Sequence, residues 1–329
     1  MTDQAATNGY KSGSNLEKVL RAGHFAVTGE LGPPQNADGD HIREKAGLLR
    51  GFVDAVNITD NQTAVVRMSS IGAAIIAIQE GLEPVMQMTC RDRNRLAMQA
   101  DFLSAYALGI KNMLALTGDH QSFGNHPTAK NVHDVDSLQL LGMLRDLRDE
   151  KKFDCGDPIK ECEPRFFVGA AAAPEAGPTE WRPYRLAKKV SAGADFIQTQ
   201  LVYNVDAFKK YMEEVRKLGL HEKVFILVGV GPLKGPGMAR YMRDFVPGIS
   251  MPDHIIDRMT KAAAGIPKEE KQARRDAWRA EGIQVCIELM QEVREIKGVA
   301  GVHVMAIEWE EAVESIVEGA GMLPRPVVE

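Results

Sequence analysis

A recurring pattern singles out the residues with chemical potential. Glu30, Thr59, Gln87 with Thr89, Asp119, Glu175, Gln200 and Glu308 each stand at or just past the end of a short, strand-like run. The clearest case is Lys111–His120 (KNMLALTGDH), an apolar run stopped by Thr117-Gly118-Asp119-His120. Strands buried on both faces read as near-continuous apolar runs bounded by turn residues, and parallel sheets place their chemistry at the carboxyl ends of such strands. Asp119 taken alone has a plain alternative as a turn or helix-capping aspartate. Repetition of the pattern at strand after strand favours a site. Several uncharged polar groups with a few carboxylates suit a large heterocycle rich in hydrogen-bonding groups. A metal would ask for histidines and carboxylates clustered on neighbouring strands. His24, His120, His126, His133 and His303 lack such spacing, so no metal is expected and each reads as a surface or packing residue.

The elements that must position these residues alternate along the chain. Strand-like runs over His24–Leu31, Val53–Thr59, Pro84–Cys90 and Lys111–Leu116 are separated by helix-like stretches around His41–Arg50, Ser69–Glu80 and Arg93–Leu108. In the last of these Leu96, Ala100, Leu103 and Ala107 share one face by helical spacing. A helix near Asp136–Asp149 and a charged insertion, Lys151–Pro164, precede the fifth strand, Arg165–Ala171. Asp195–Gln200, Lys223–Val230 and Gly298–Ile307 complete eight strands, with helices over Pro183–Ser191, Asp206–Lys217 and Glu310–Gly321. Further helices fill Gly237–Lys297, between strands seven and eight. Eight strand–helix repeats without a break in composition predict one α/β domain, a closed (βα)8 TIM-type barrel over residues 16–329. Residues 1–15, polar and without an apolar h-region, read as a flexible lead-in. The Gly231–Gly237 loop is glycine-rich but lacks the P-loop lysine pattern, and no GxGxxG follows the first strand.

Composition sets outer limits. A hydrophobic content of 44% and a charged content of 26% suit an ordinary globular protein with a large core. The formal net charge of -5 argues against nucleic acid or an anionic membrane as partner. No apolar run is long enough to span a bilayer. Cys90, Cys155, Cys162 and Cys286 form no CxxC, so reduced thiols in a cytoplasmic protein are expected. Cys155 and Cys162 share the insertion and are candidates to meet another subunit.

Ordered motifs then carry a family resemblance. TGELGPP (Thr28–Pro34), VNIT (Val56–Thr59), QMTC (Gln87–Cys90), LALTGDH (Leu114–His120) and KKVSAGADFIQTQ (Lys188–Gln200) resemble methylenetetrahydrofolate reductase, in that family's order and spacing. The TGDH form, with FGNHP (Phe123–Pro127) and VHDVDS (Val132–Ser137), is similar to versions in anaerobic one-carbon metabolism. The resemblance implies a (βα)8 flavoprotein that reduces 5,10-methylenetetrahydrofolate to 5-methyltetrahydrofolate. Glu30 matches the family's proposed general acid, which protonates N10 and opens the five-membered ring to an iminium for hydride from reduced flavin. That role asks for a carboxyl that keeps its proton near neutral pH, as an apolar, partly desolvated setting favours. Asp119 matches the aspartate beside flavin and folate, and Gln200 the glutamine that reads the pterin. Thr59, Gln87, Ala173 and Lys189 fall at flavin-contact positions together with Thr117 and Gly118, and Lys189 would neutralise flavin phosphate. FAD is expected ahead of FMN, NADH is a candidate donor, and self-association is implied.

The chain also departs from the pattern. Gln87 stands where many relatives carry histidine, Leu201-Val202 replace an aromatic pair, and Ala173 replaces an aromatic residue. No phenylalanine stands clearly after strand seven, in the region that helps relatives hold NADH. An electron-donating partner subunit therefore stands beside NADH as a source of electrons. The rival reading is a flavin-free folate-binding barrel that passes a methyl group to or from a corrinoid protein. A non-catalytic scaffold subunit is a third, which retention of Glu30, Asp119 and Gln200 together opposes.

Overall fold

The computed structural model describes residues 9–328. Eight parallel strands close into a barrel in sequence order: β1 (Ala26–Leu31), β2 (Ala55–Ile58), β3 (Pro84–Thr89), β4 (Asn112–Leu116), β5 (Phe167–Ala172), β6 (Phe196–Leu201), β7 (Phe225–Val230) and β8 (Val299–Val304). Closure is made by β1 against β8, with Thr28 opposite His303. The (βα)8 expectation is met, and strand positions differ from those read in the sequence by a few residues at each end.

Side chains alternate between the inside and outside of a barrel strand, so residues two apart stack in layers. The floor is apolar: Ala26, Ala55, Val85, Phe167, Phe196 and Leu227 pack together, with the Phe167 and Phe196 rings stacked 5.1 Å apart. Gly169 makes room for this stack, since a Cβ there would lie 2.3 Å from the Phe196 ring. Helix α1 (Asn15–Arg21) closes the bottom with Leu16, Val19 and Leu20, each worth about 2 kcal/mol when buried. The half-buried Glu83 carboxylate accepts the Asn15 and Leu16 N–H groups at the positive end of that helix. Residues 1–8 of the expected lead-in lie outside the described residues. The Lys11, Ser12 and Gly13 N–H groups all donate to Glu17, and the Lys11 ammonium pairs with Asp195.

The outer ring is α2 (Asp40–Leu49), α3 (Ser70–Gln79), α4 (Arg95–Ala107), α5 (Ser137–Arg145), α6 (Arg182–Ala192), α7 (Val205–Lys217), α8 (Pro236–Phe245), α9 (Asp253–Lys261), α10 (Lys271–Arg294) and α11 (Ala312–Gly319). The extra helices between β7 and β8 are present as α8, α9 and α10. Helix α4 buries a stripe other than that of Leu96, Ala100, Leu103 and Ala107 noted in the sequence. In α4 the core face is Met98, Phe102 and Ala105, whereas Leu96 is 76% exposed. Both stripes are apolar at helical spacing, and the buried one sets the Phe102 ring edge-on against Phe166, just before β5. The Lys151–Pro164 insertion makes a Lys152–Pro158 antiparallel bridge, and Cys155 and Cys162 are free and exposed. Among the described residues no helix is long and apolar enough to cross a membrane.

Candidate active site

At the carboxyl ends of the strands the barrel opens on a cavity of about 320 Å3. Ala171, Ala172 and Ala173 at the end of β5 form one wall, faced by Leu114, Leu116, Leu186 and Met305. Glu30, Gln87 and Gln200 supply polar groups, and Lys189, Arg182 and Arg185 from α6 give one end positive charge. A second cavity of about 540 Å3, bounded by Gly32, His41, Lys45, Arg67 and Glu308, also touches Glu30. The two meet at that carboxyl.

Glu30 is held from below by a buried polar layer. Its side chain is 15% exposed, and His303 Nε2 stands 3.6 Å from its Oε2. The other imidazole nitrogen, Nδ1, is 3.0 Å from Thr28 Oγ1. Thr28 Oγ1 also accepts from Gln198 Nε2 at 3.3 Å and faces the Val302 carbonyl oxygen at 3.4 Å. Gln198 and Asn57 exchange carboxamide hydrogen bonds of 2.6 and 3.1 Å. Buried polar groups are costly unless paired, and this layer pairs them with one another. His303 is thus no plain packing residue. Thr28, Asn57, Gln198 and His303 were missed, although each lies on the inward stripe of a strand, Thr28 and Gln198 two residues before Glu30 and Gln200.

Gln200 owes its position to an irregularity in β6, whose register against β7 slips between Gln198 and Leu201. There the Thr199 hydroxyl accepts the Gly229 N–H at 2.8 Å and donates to the Gln200 carbonyl at 2.8 Å. Bulges of this kind re-aim side chains next to sites. Glycine at 229 is required for it, because a Cβ would lie 2.4 Å from the Thr199 carbonyl oxygen. The Gln200 Oε1 accepts the Leu201 N–H at 3.0 Å, which orients the carboxamide.

Lys189 is buried on α6, and its ammonium donates to the Ala171 carbonyl. Burial, followed by the neighbouring Arg185 and Arg182 guanidinium groups, pushes its pKa down to about 8. Arg182 is itself fixed by the Ala176 and Gly177 carbonyls. Glu175 turns away from the cavity lined by Glu30. Its carboxylate accepts the Ser250 N–H at 3.1 Å, and burial pushes its pKa up to about 7.

Of the residues expected at the site, Glu30, Gln87, Ala173, Lys189 and Gln200 line the 320 Å3 cavity, and Thr59, Thr117, Gly118 and Asp119 do not. Thr59 is buried with its hydroxyl unpartnered, close to Gly32 and so to the second cavity. Thr117 and Asp119 are exposed on the loop after β4. Gly118 has φ +89°, and a Cβ there would meet Thr89 at 3.0 Å, so the loop lies directly on the end of β3. Arg91 organises this rim. Buried, it donates to the Asp119 carbonyl at 3.0 Å and the Asn61 carbonyl at 3.2 Å while its side chain grips Asp92.

The residues fit a flavin on two grounds: an apolar wall of small side chains for a ring and a cationic end for phosphate. Lys189, Arg182 and Arg185 would hold the phosphate, and Ala171–Ala173 with Leu114 and Leu116 would face the ring.

The family profile for methylenetetrahydrofolate reductase matches residues 15–321. A probable methylenetetrahydrofolate reductase (NADPH) of Caenorhabditis elegans is 24% identical over 267 residues, covering 80% of this chain and 36% of that protein. Methylenetetrahydrofolate reductase 2 of Saccharomyces cerevisiae is 28% identical over 268 residues, 78% of this chain and 40% of that one. A 5,10-methylenetetrahydrofolate reductase of Pectobacterium carotovorum is 24% identical over 220 residues, 64% of this chain and 65% of that one. The chain therefore spans well under half the length of the nematode and yeast relatives. Among solved structures, an uncharacterized Clostridium thermocellum protein that binds two copies of 5-methyl-5,6,7,8-tetrahydrofolic acid superposes with a TM-score of 0.59 at 14% identity, over 92% of this chain and 97% of that one. An EDTA monooxygenase from Chelativorans sp. BNC1 gives a TM-score of 0.54 at 12% identity, over 92% and 95%. These two likenesses concern the barrel. With barrel, strand-end site and a profile match over nearly its whole length, the chain belongs to the methylenetetrahydrofolate reductase family.

Proposed function

We propose that this chain is a flavin-dependent reductase that converts 5,10-methylenetetrahydrofolate to 5-methyltetrahydrofolate, with Glu30 as general acid. The observation that carries the reading is Glu30 itself. It is a nearly buried carboxyl at the junction of the two cavities, and His303 is its one partner at ion-pair distance among the described residues. A general acid must stand where it can reach the substrate's reacting atom, and a carboxyl that lines both cavities does. Protonation of folate N10 by Glu30 opens the five-membered ring to an electrophilic iminium. Gln200, oriented by its bond to Leu201, offers an amide that both donates and accepts against the pterin edge. Asp119, on the rim fixed by Arg91, adds a negative charge that favours the iminium cation. Ala171–Ala173 would hold the flavin, which when bound and reduced would supply the hydride. Gln87 and Lys189 line that cavity, and Lys189 would neutralise the phosphate; by the family resemblance Thr59, Thr117 and Gly118 would add contacts from beyond the cavity lining.

The flavin is read as FAD on the family resemblance. The electron donor is read as NADH or a partner subunit, the latter because this chain lacks the aromatic residues expected after β6 and β7. Self-association and a cytoplasmic setting, with all four cysteines free, belong to the same reading. Glu30→Gln tests it. Methylene reduction is expected to fall by about 100-fold or more while flavin binding is unchanged. Full turnover in that variant would remove Glu30 from the chemistry.

A further inference from the structure

The buried layer beneath Glu30 has a second consequence, which rests on the general-acid reading above. We propose that His303 is the positioning residue of Glu30, and that its tautomer changes with the proton on that carboxyl. The geometry is specific. Nε2 faces Glu30 Oε2 at 3.6 Å and Nδ1 faces Thr28 Oγ1 at 3.0 Å, with the imidazole 4% exposed. Neutral imidazole carries one N–H and one lone pair, so the occupant of one nitrogen decides the role of the other.

Thr28 can serve either form. When Nδ1 carries the hydrogen it donates to Thr28 Oγ1, and the Thr28 hydroxyl turns to the Val302 carbonyl 3.4 Å away. Nε2 then presents its lone pair to Glu30 and accepts from the protonated carboxyl. When Nδ1 is bare the Thr28 hydroxyl donates to it, and Nε2–H donates to the Glu30 carboxylate. Gln198 Nε2 donates to Thr28 Oγ1 in both states, at 3.3 Å. The Asn57–Gln198 carboxamide pair fixes that donor, so the layer reaches across the barrel to β2 and β6. After Glu30 gives its proton to the substrate, Nδ1 releases its hydrogen to solvent as Nε2 takes one up; on reloading, Nε2–H passes its proton to the carboxylate and Nδ1 regains one from solvent. No electrons move in this reloading, and one water-derived proton is consumed per turnover.

His303 is the link that keeps Glu30 aimed at the cavity and loaded, and a second-layer partner of this kind is worth about 10- to 100-fold. Two measurements test it. In protein labelled with 15N-histidine, His303 is identified by the signal missing from His303→Gln. Glu30→Gln is expected to shift Nε2 of His303, and Thr28→Val its Nδ1, with the other histidines unmoved. In turnover, His303→Leu should lower kcat by about 10- to 100-fold with little change in KM, His303→Gln should recover part of the loss, and Thr28→Ser should exceed Thr28→Val. Unchanged His303 signals in both Glu30→Gln and Thr28→Val, or equal activity of the Leu and Gln variants, overturn the proposal. An active Glu30→Gln enzyme overturns the general-acid reading instead, and the nitrogen shifts then still report whether the pair exists.

Discussion

Lys189 is a cation without a carboxylate at ion-pair distance among the described residues, held on a carbonyl and beside two guanidinium groups. A site that keeps like charges together in a half-dry wall is suited to an anion. Because its pKa is pushed down to about 8, Lys189 is charged below that value and neutral above it. Binding of a phosphate-bearing flavin is therefore expected to be constant below pH 8 and to weaken as pH rises through and beyond 8. Lys189→Met should bind about tenfold more weakly at pH 7, a loss of about 1.4 kcal/mol, and should lose the pH dependence. Flavin fluorescence titrations from pH 6.5 to 9.5 on both proteins check this, and a flat profile for the parent protein would contradict it. At this scale the sequence was legible at the strand ends, where Glu30, Gln87, Ala173 and Gln200 all reach the cavity, joined by Lys189 from α6. It was less legible one layer down. His303 comes within 3.6 Å of Glu30 only because barrel closure sets β8 beside β1, with Thr28 opposite His303 across 275 residues, which no local spacing announces.

The strands and most helices could be read from hydrophobic period and breakers to within a few residues, since glycines at 81, 193 and 219 stand just past α3, α6 and α7. What could not be read is which of two apolar stripes a helix buries, as α4 demonstrates with Leu96 outside and Phe102 inside. That choice depends on the shape of the strands beneath, which single-sequence spacing does not carry. Helix α10 offers the complementary case. Intrinsic propensity favours alanine over glycine inside a helix by about 1 kcal/mol, yet Gly282 sits mid-helix. A Cβ there would fall 1.8 Å from the Leu233 carbonyl oxygen, in the loop that follows β7. Gly282→Ala is accordingly expected to destabilise the fold by about 2–3 kcal/mol through this overlap, against its propensity. Denaturant unfolding of the variant checks this; a midpoint equal to or above that of the parent would show that the loop yields freely.

At the scale of the whole molecule, alternation of eight strand–helix units without a break in composition was enough to give the closed barrel. Closure gathers the ends of β1, β3, β5 and β6 with α6 around one cavity, and leaves the β4 loop carrying Asp119 on its rim. The resulting layers are distinct: an apolar floor sealed by α1, a paired polar layer of Thr28, Asn57, Gln198 and His303, and above it the residues that line the open cavity. On the proposed function, this arrangement delivers a proton from Glu30 and a hydride from flavin to one substrate. It is tested most directly by anaerobic single turnover. The protein, with its flavin identified after release and reconstituted if absent, is reduced with dithionite and mixed with 5,10-methylenetetrahydrofolate. The flavin absorbance should return as 5-methyltetrahydrofolate forms in equal amount, and Glu30→Gln should return it about 100-fold more slowly or worse. A protein that takes up no flavin, or a reduced flavin that stays bleached in the presence of substrate, would contradict the account and bring forward methyl transfer without flavin.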